Sequence, residues 1–185
     1  PSRCSKVRAD VQATVNAARY VPWQVASSKT GTAMLTTKTA IQAALVGGLL
    51  AGAIDIGAAC VIFHATPGPV LKSIAAGIVG RDAARAGGTD IVLLGAFLQG
   101  FISVVAAGIY AFASMRLPIL IRQWLIMGIV FGGACDLFLM HIVGPLAGLH
   151  MQAVGTCGWW ANLIANMLTY GPPIAFVNQW FAKRS

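Results

Sequence analysis

Between residues 41 and 63 the chain reads IQAALVGGLLAGAIDIGAACVIF, a run of 23 residues with a single charged side chain, and that run decides which solvent the chain folds in. An α-helix rises about 1.5 Å per residue, so about 20 apolar residues cross the hydrocarbon core of a bilayer. Three more stretches qualify, at 91–113, 119–143 and 158–177. Composition agrees: 57% of the 185 residues are hydrophobic, 10% are charged, and the mean hydropathy is +0.75, outside the balance of a soluble domain. The expected fold is all-α and polytopic, with a four-helix transmembrane domain at 40–185 after a basic tail at 1–39. The fourth span holds Asn162, Asn166 and Pro172-Pro173, so it is expected to be kinked or packed against neighbours that satisfy the freed carbonyls.

Charge sets the expected orientation. The chain has no glutamate, its five acids are all aspartates, and 13 Lys and Arg leave a formal charge of +8. Ten of those cations flank one side of the four spans and three, Lys72, Arg81 and Arg85, flank the other. The positive-inside rule then puts both termini in the cytoplasm. The anionic leaflet is the simplest partner for this excess, and no nucleic-acid-binding signature accompanies it.

In the tail, Val7, Val11, Val15 and Ala18 recur at helical spacing, with Arg8, Gln12, Asn16 and Arg19 elsewhere on the wheel. The alternatives are an amphipathic helix lying on the cytoplasmic face and a poorly ordered terminus. No signal-peptide core occurs in the first 30 residues, although scarce acids and several arginines resemble an organellar transit peptide. With Pro1 first, the expectation is a chain beginning near its natural start, its Met removed. The four cysteines stand singly, without metal-ligand spacing, and read as small packing groups.

ALVGGLLAGAID (44–55) aligns with LIMGIVFGGACD (125–136) at a shift of 81 residues, matching Gly47 with Gly128, Gly52 with Gly133 and Asp55 with Asp136. After each acid come a histidine and a Gly-Pro step: His64 with Gly68-Pro69, and His141 with Gly144-Pro145. Either a helical hairpin is used twice in tandem, or two Gly-rich spans resemble one another by chance. The small-residue pairs Gly48/Gly52 and Gly128/Gly132 point to close contact of the first and third spans.

Asp55 and Asp136 each fall about 10–12 Å from the outer end of a span, which puts them at similar depth. A charged aspartate there costs on the order of 2.5–3.5 kcal/mol on insertion scales, so it must face the bundle and find partners. The pair is a candidate proton or cation site, or a helix glue bonded to Ser103, Gln99, Asn162 or a backbone carbonyl. His64, His141 and His150 lie at or beyond the outer ends of spans. They are a candidate ligand cluster with the two acids, or interfacial anchors, since no compact pairing such as HxxxH joins them. The metal is unknown, and haem or pigment ligation by His141 has no further support. Bound lipid is expected.

The first connection, PVLKSIAAGIVGRDAARAGGTD (69–90), carries a one-sided apolar helix too short to span, then turns at Gly87-Gly88. Its VLKSIAAGIVG stretch, preceded by GAIDIGAAC, resembles a family of small uncharacterised bacterial inner-membrane proteins with an I-L-x-S-I-A-x-G-x-x-G stretch after the first span. The resemblance covers roughly residues 44–145 and implies a four-span topology and a bacterial inner-membrane location, with no catalytic residues to carry over.

No catalytic constellation stands out. The leading expectation is therefore a non-catalytic structural or accessory subunit packed against other membrane-protein subunits. The rival is a small transporter or channel, a homodimer, that uses Asp55 and Asp136 for a cation or proton. A membrane enzyme with a metal at the outer histidines comes third.

Overall fold

The computed structural model describes residues 36–148 and 153–184, and every regular element among them is helical. In chain order these are α1 (Thr37–Ile62), α2 (Pro67–Val79), α3 (Arg81–Ala86), α4 (Thr89–Arg116), α5 (Ile119–Arg122) and α6 (Trp124–Phe138). A π-helical turn, Leu139–Val143, then leads to α7 (Gly144–Leu146). The last segment runs through α8 (Cys157–Ala165), a second π turn, Asn166–Tyr170, and α9 (Gly171–Ala182). The amphipathic stretch expected in the tail, and His150, lie outside the described residues.

Three helices are long and apolar enough to cross a membrane: α1, α4 and the continuous stretch Trp124–Leu146. The 158–177 segment is not one of them. Its asparagines, its proline pair and the polar residues near its end lower its hydropathy, although the helical path through the π turn is continuous from Cys157 to Ala182.

The side chains are distributed inside out relative to a soluble bundle. The buried face of α1 is Ala40, Ala43, Ala44, Gly47, Gly48, Ala51 and Gly52, all Ala or Gly at three- to four-residue steps. That of α4 is Gly95, Gln99, Ser103, Ala107, Tyr110, Ala111 and Ser114. Large apolar side chains point outward instead, with Leu49 58%, Phe97 69% and Ile109 61% exposed. Water would penalise such a surface. Lipid does not, and without a hydrophobic drive between helices it leaves close backbone packing and interhelical hydrogen bonds to hold the bundle.

The glycines set how close the helices come. A Cβ on Gly48 would stand 2.6 Å from the Cα of Val104, and one on Gly52 would stand 2.8 Å from Ser103 Oγ. A Cβ on Gly128 would meet Pro172 Cα at 3.0 Å and the Gly171 carbonyl at 3.1 Å, while Gly132 faces the carbonyl of Asn166. Each Gly pair therefore seats the next long helical segment in the chain: α4 on α1, and α8–α9 on α6. This corrects the expectation that the two pairs bring the first and third spans together. Instead α9 packs against both α1 and α6 and bridges them. GxxxG spacing marks a face that admits a backbone, and the short chain connections decide which backbone arrives.

The third span also begins later than the apolar run suggested. Residues 119–122 form a separate turn after Pro118, and the chain breaks at Gln123 (φ −112°, ψ 46°) before α6 starts at Trp124. Side chains take up carbonyls exposed at the break: Tyr110 Oη donates to Leu120 O at 2.9 Å, and Gln179 Nε2 donates to Ile121 O at 3.3 Å. A helix break in lipid persists when its freed carbonyls find such donors. Edge-to-face contacts, Tyr110 on Phe131 at 5.0 Å and Trp124 on Phe176 at 5.5 Å, fill the surrounding space.

The short apolar helix expected in the first connection is α2, too short to cross a bilayer. It lies against α4, with Leu71, Ala75 and Ala76 buried and the Leu71 carbonyl facing Gly95. Gly80, at φ 84°, ends it, and Lys72 Nζ donates to Gly87 O at 2.6 Å, fastening the connection before α4.

Candidate functional site

Asp55 stands in the last third of α1, where the antiparallel approach of α4 across Gly48 and Gly52 brings Gln99 opposite. Gln99 Nε2 donates to Asp55 Oδ2 at 2.7 Å. Asp136, 4% exposed, receives two bonds on a single oxygen: Asn162 Nδ2 and Asn166 Nδ2 donate to Oδ1 at 2.6 and 2.8 Å. Asn166 Nδ2 also donates to Asn162 O at 3.2 Å, so the two amides form one unit. The other carboxyl oxygen, Asp136 Oδ2, is buried and has no hydrogen-bond partner.

The two acids meet. The carboxyls lie within electrostatic reach of each other, so two negative charges there would repel. Tyr170 joins them. Its buried side chain faces Ser103 and lies within electrostatic reach of Asp55 and Cys135, yet Ser103 Oγ closes no hydrogen bond and is fully buried. The cluster thus draws Asp55, Gln99 and Ser103 from one pair of helices, and Asp136, Asn162, Asn166 and Tyr170 from the other. Two of its oxygens, Asp136 Oδ2 and Ser103 Oγ, are buried without partners.

Local backbone geometry shapes the second half of this cluster. Gly171 N–H bonds to Asn166 O and Gly144 N–H bonds to Leu139 O, each five residues back, which makes the two π turns. Both glycines precede a proline, Pro172 and Pro145. Proline brings no N–H for the carbonyl four residues before it, and the glycine just ahead reaches one residue further back, widening the turn. One π turn opens on Asn166 and closes on Tyr170; the other opens three residues after Asp136. Each Gly-Pro step therefore sets the helix register beside the Asp136 carboxyl.

The histidines are placed differently. His64 ends α1 with φ 48°, and Ala65 N–H reaches back to Cys60 O at 3.0 Å. His141 lies on the first π turn, its Nδ1 3.1 Å from Leu137 O and its ring edge-on to Trp159 at 6.4 Å. Among the described residues no group of three or more His, Cys, Asp and Glu is placed to hold a metal ion. The site that does form relies on amides and hydroxyls around two carboxyls. Asn166 and Tyr170 were not expected in it, although Asn162, Asn166 and Tyr170 recur every four residues in an apolar segment, which is a readable signal.

No family model, no curated protein sequence and no solved structure matches this chain.

Proposed function

We propose that this is a four-span protein of a bacterial inner membrane, with both termini cytoplasmic, that binds a proton or a monovalent cation at the Asp55–Asp136 pair and carries it across. The observation that supports this reading is that two acids 81 residues apart lie within electrostatic reach of each other in a partly buried polar cluster, which holds two buried oxygens without partners. Two carboxyls close together in a low dielectric repel, and a proton or cation placed between them removes the repulsion. Amide donors hold the carboxyls without neutralising them. In this reading the 158–177 segment is the fourth span. Its polar residues face α1 and α6 instead of lipid, and the tandem hairpins, α1 with α4 and α6 with α8–α9, each contribute one acid.

Reconstitution into liposomes and charge-displacement recording on a solid-supported membrane test the proposal. A pH step or a sodium step should give a transient current in the wild type and none in the Asp55→Asn/Asp136→Asn double variant. Equal currents in both would refute it.

A second reading, the structural accessory subunit, has its own observation. Among the described residues each acid bonds within its own helix pair, Asp55 to Gln99 and Asp136 to Asn162 and Asn166, as a helix glue would. There the double Asn variant loses stability, wild-type protein shows no current, and gentle extraction brings other membrane subunits with it. The resemblance of residues 70–80 to the small inner-membrane family supports the topology in either reading.

A further inference from the structure

We propose that the end of the bundle formed by the start of α1 and the end of α9 carries a binding site for one anionic phospholipid, independent of the carboxyl pair. Val46, Phe176, Val177, Trp180 and Phe181 line an apolar cavity of about 220 Å³ between α1 and α9. One wall is the Trp180 ring, and the Arg184 guanidinium stands over that ring, 3.6 Å from its centroid. Stacking on indole fixes the guanidinium at the helix end without using its N–H donors, which stay available for an anion.

The charge around the cavity is one-sided. α1 and α6 start at this end, and α4 and α9 finish there, so Lys38, Arg116, Arg122, Lys183 and Arg184 all gather at it, every one exposed. None of the four described acids does: Asp55 and Asp136 lie within the bundle, and Asp82, in α3, and Asp90, in the first turn of α4, lie at the opposite end.

The geometry asks for a ligand with two parts. From Val177, which lines the cavity, to Arg184 is seven residues, or about 10 Å along a helix, so the slot begins just below the headgroup level and descends into the hydrocarbon. A soluble anion would meet Arg184 and leave the slot empty; a zwitterionic lipid would fill the slot without using the excess positive charge. An anionic phospholipid places an acyl chain against Val46 and Phe176 and its phosphate between Lys183 and Arg184, as basic pockets between helices on the cytoplasmic side do.

Native mass spectrometry and thermal melting of the full chain in neutral detergent test the site, with phosphatidylglycerol, phosphatidylcholine and inorganic phosphate as probes. Phosphatidylglycerol should be retained in preference to phosphatidylcholine and should raise the melting temperature, while inorganic phosphate should leave it unchanged. Lys183→Gln/Arg184→Gln should weaken phosphatidylglycerol binding about 30-fold, from two surface charges near the headgroup. Arg184→Lys should keep most of the preference. Val46→Trp, which fills the slot from its lipid-facing wall, should reduce retention of both lipids. Equal retention of the two lipids, an undiminished affinity in the double Gln variant or in Val46→Trp, or full stabilisation by inorganic phosphate would each overturn the proposal.

Discussion

Replacing Gly48 by alanine adds one methyl group at the tightest point between α1 and α4. That methyl would stand 2.6 Å from Val104 Cα, 2.7 Å from Ser103 O and 2.8 Å from Val104 N, all backbone atoms that no rotamer change can move. Ordinary contact begins near 3.4 Å, so the helices must separate locally by about 0.8 Å. Overpacking of this kind costs about 1–3 kcal/mol, and the better helix propensity of alanine returns about 0.5–1 kcal/mol, leaving a net loss centred on about 1 kcal/mol and no larger than about 2.5 kcal/mol. The same separation should stretch the Gln99–Asp55 bond, now 2.7 Å, two turns further along α1. Gly57→Ala is the control on the same helix, because a Cβ there meets nothing within 4 Å. Reversible unfolding in mixed micelles titrated with sodium dodecyl sulfate should show Gly48→Ala destabilised and Gly57→Ala unchanged or slightly stabilised. If the two variants unfold together, the close α1–α4 approach is wrong, and with it the placement of Gln99 against Asp55.

Other expectations follow from the same contacts. Gln99→Leu removes the one side-chain donor that Asp55 has among the described residues and should destabilise the fold by about 1 kcal/mol in the same titration, the loss of a part-buried hydrogen bond to a carboxyl. Tyr110→Phe leaves the Leu120 carbonyl unpaired at the helix break and should cost about 1 kcal/mol, with the effect concentrated in faster amide exchange around residues 120–124. Pro172→Ala/Pro173→Ala restores N–H donors to the last segment, so the π turn should revert to α-helix and draw Asn166 away from Asp136. Charge displacement should fall in that variant while the unfolding midpoint holds or rises. A reporter fused after Arg184 should be active when it works only in the cytoplasm; activity of an exported-only reporter would reverse the orientation.

How much of this was legible depended on the kind of information. The apolar runs and the GAID and GACD stretches announced membrane helices with an acid in each of two, because length and residue type alone carry that message. Glycine spacing marked the close faces correctly, but a spacing records only that a backbone can approach, so the partners α4 and α8–α9 could not be read from it. The break at Gln123 was hidden because apolar residues continue through it; it stands on Tyr110 and Gln179, far away in sequence. The Gly-Pro steps were visible, whereas their consequence, a π turn that positions Asn166, depends on a hydrogen bond reaching five residues back. The last segment shows the converse: its Asn and Pro content made it the least convincing span by hydropathy, and its two asparagines are what it presents to Asp136.

The most direct test of the carboxyl pair is infrared difference spectroscopy on the reconstituted protein, recorded as protons or sodium ions are added. Binding between Asp55 and Asp136 is expected to produce a carboxyl C=O band that changes with loading, is altered in each single Asn variant and is lost in the double variant. A carboxyl region unchanged by pH and by cations would contradict that expectation and leave the two aspartates as hydrogen-bonded glue between helices.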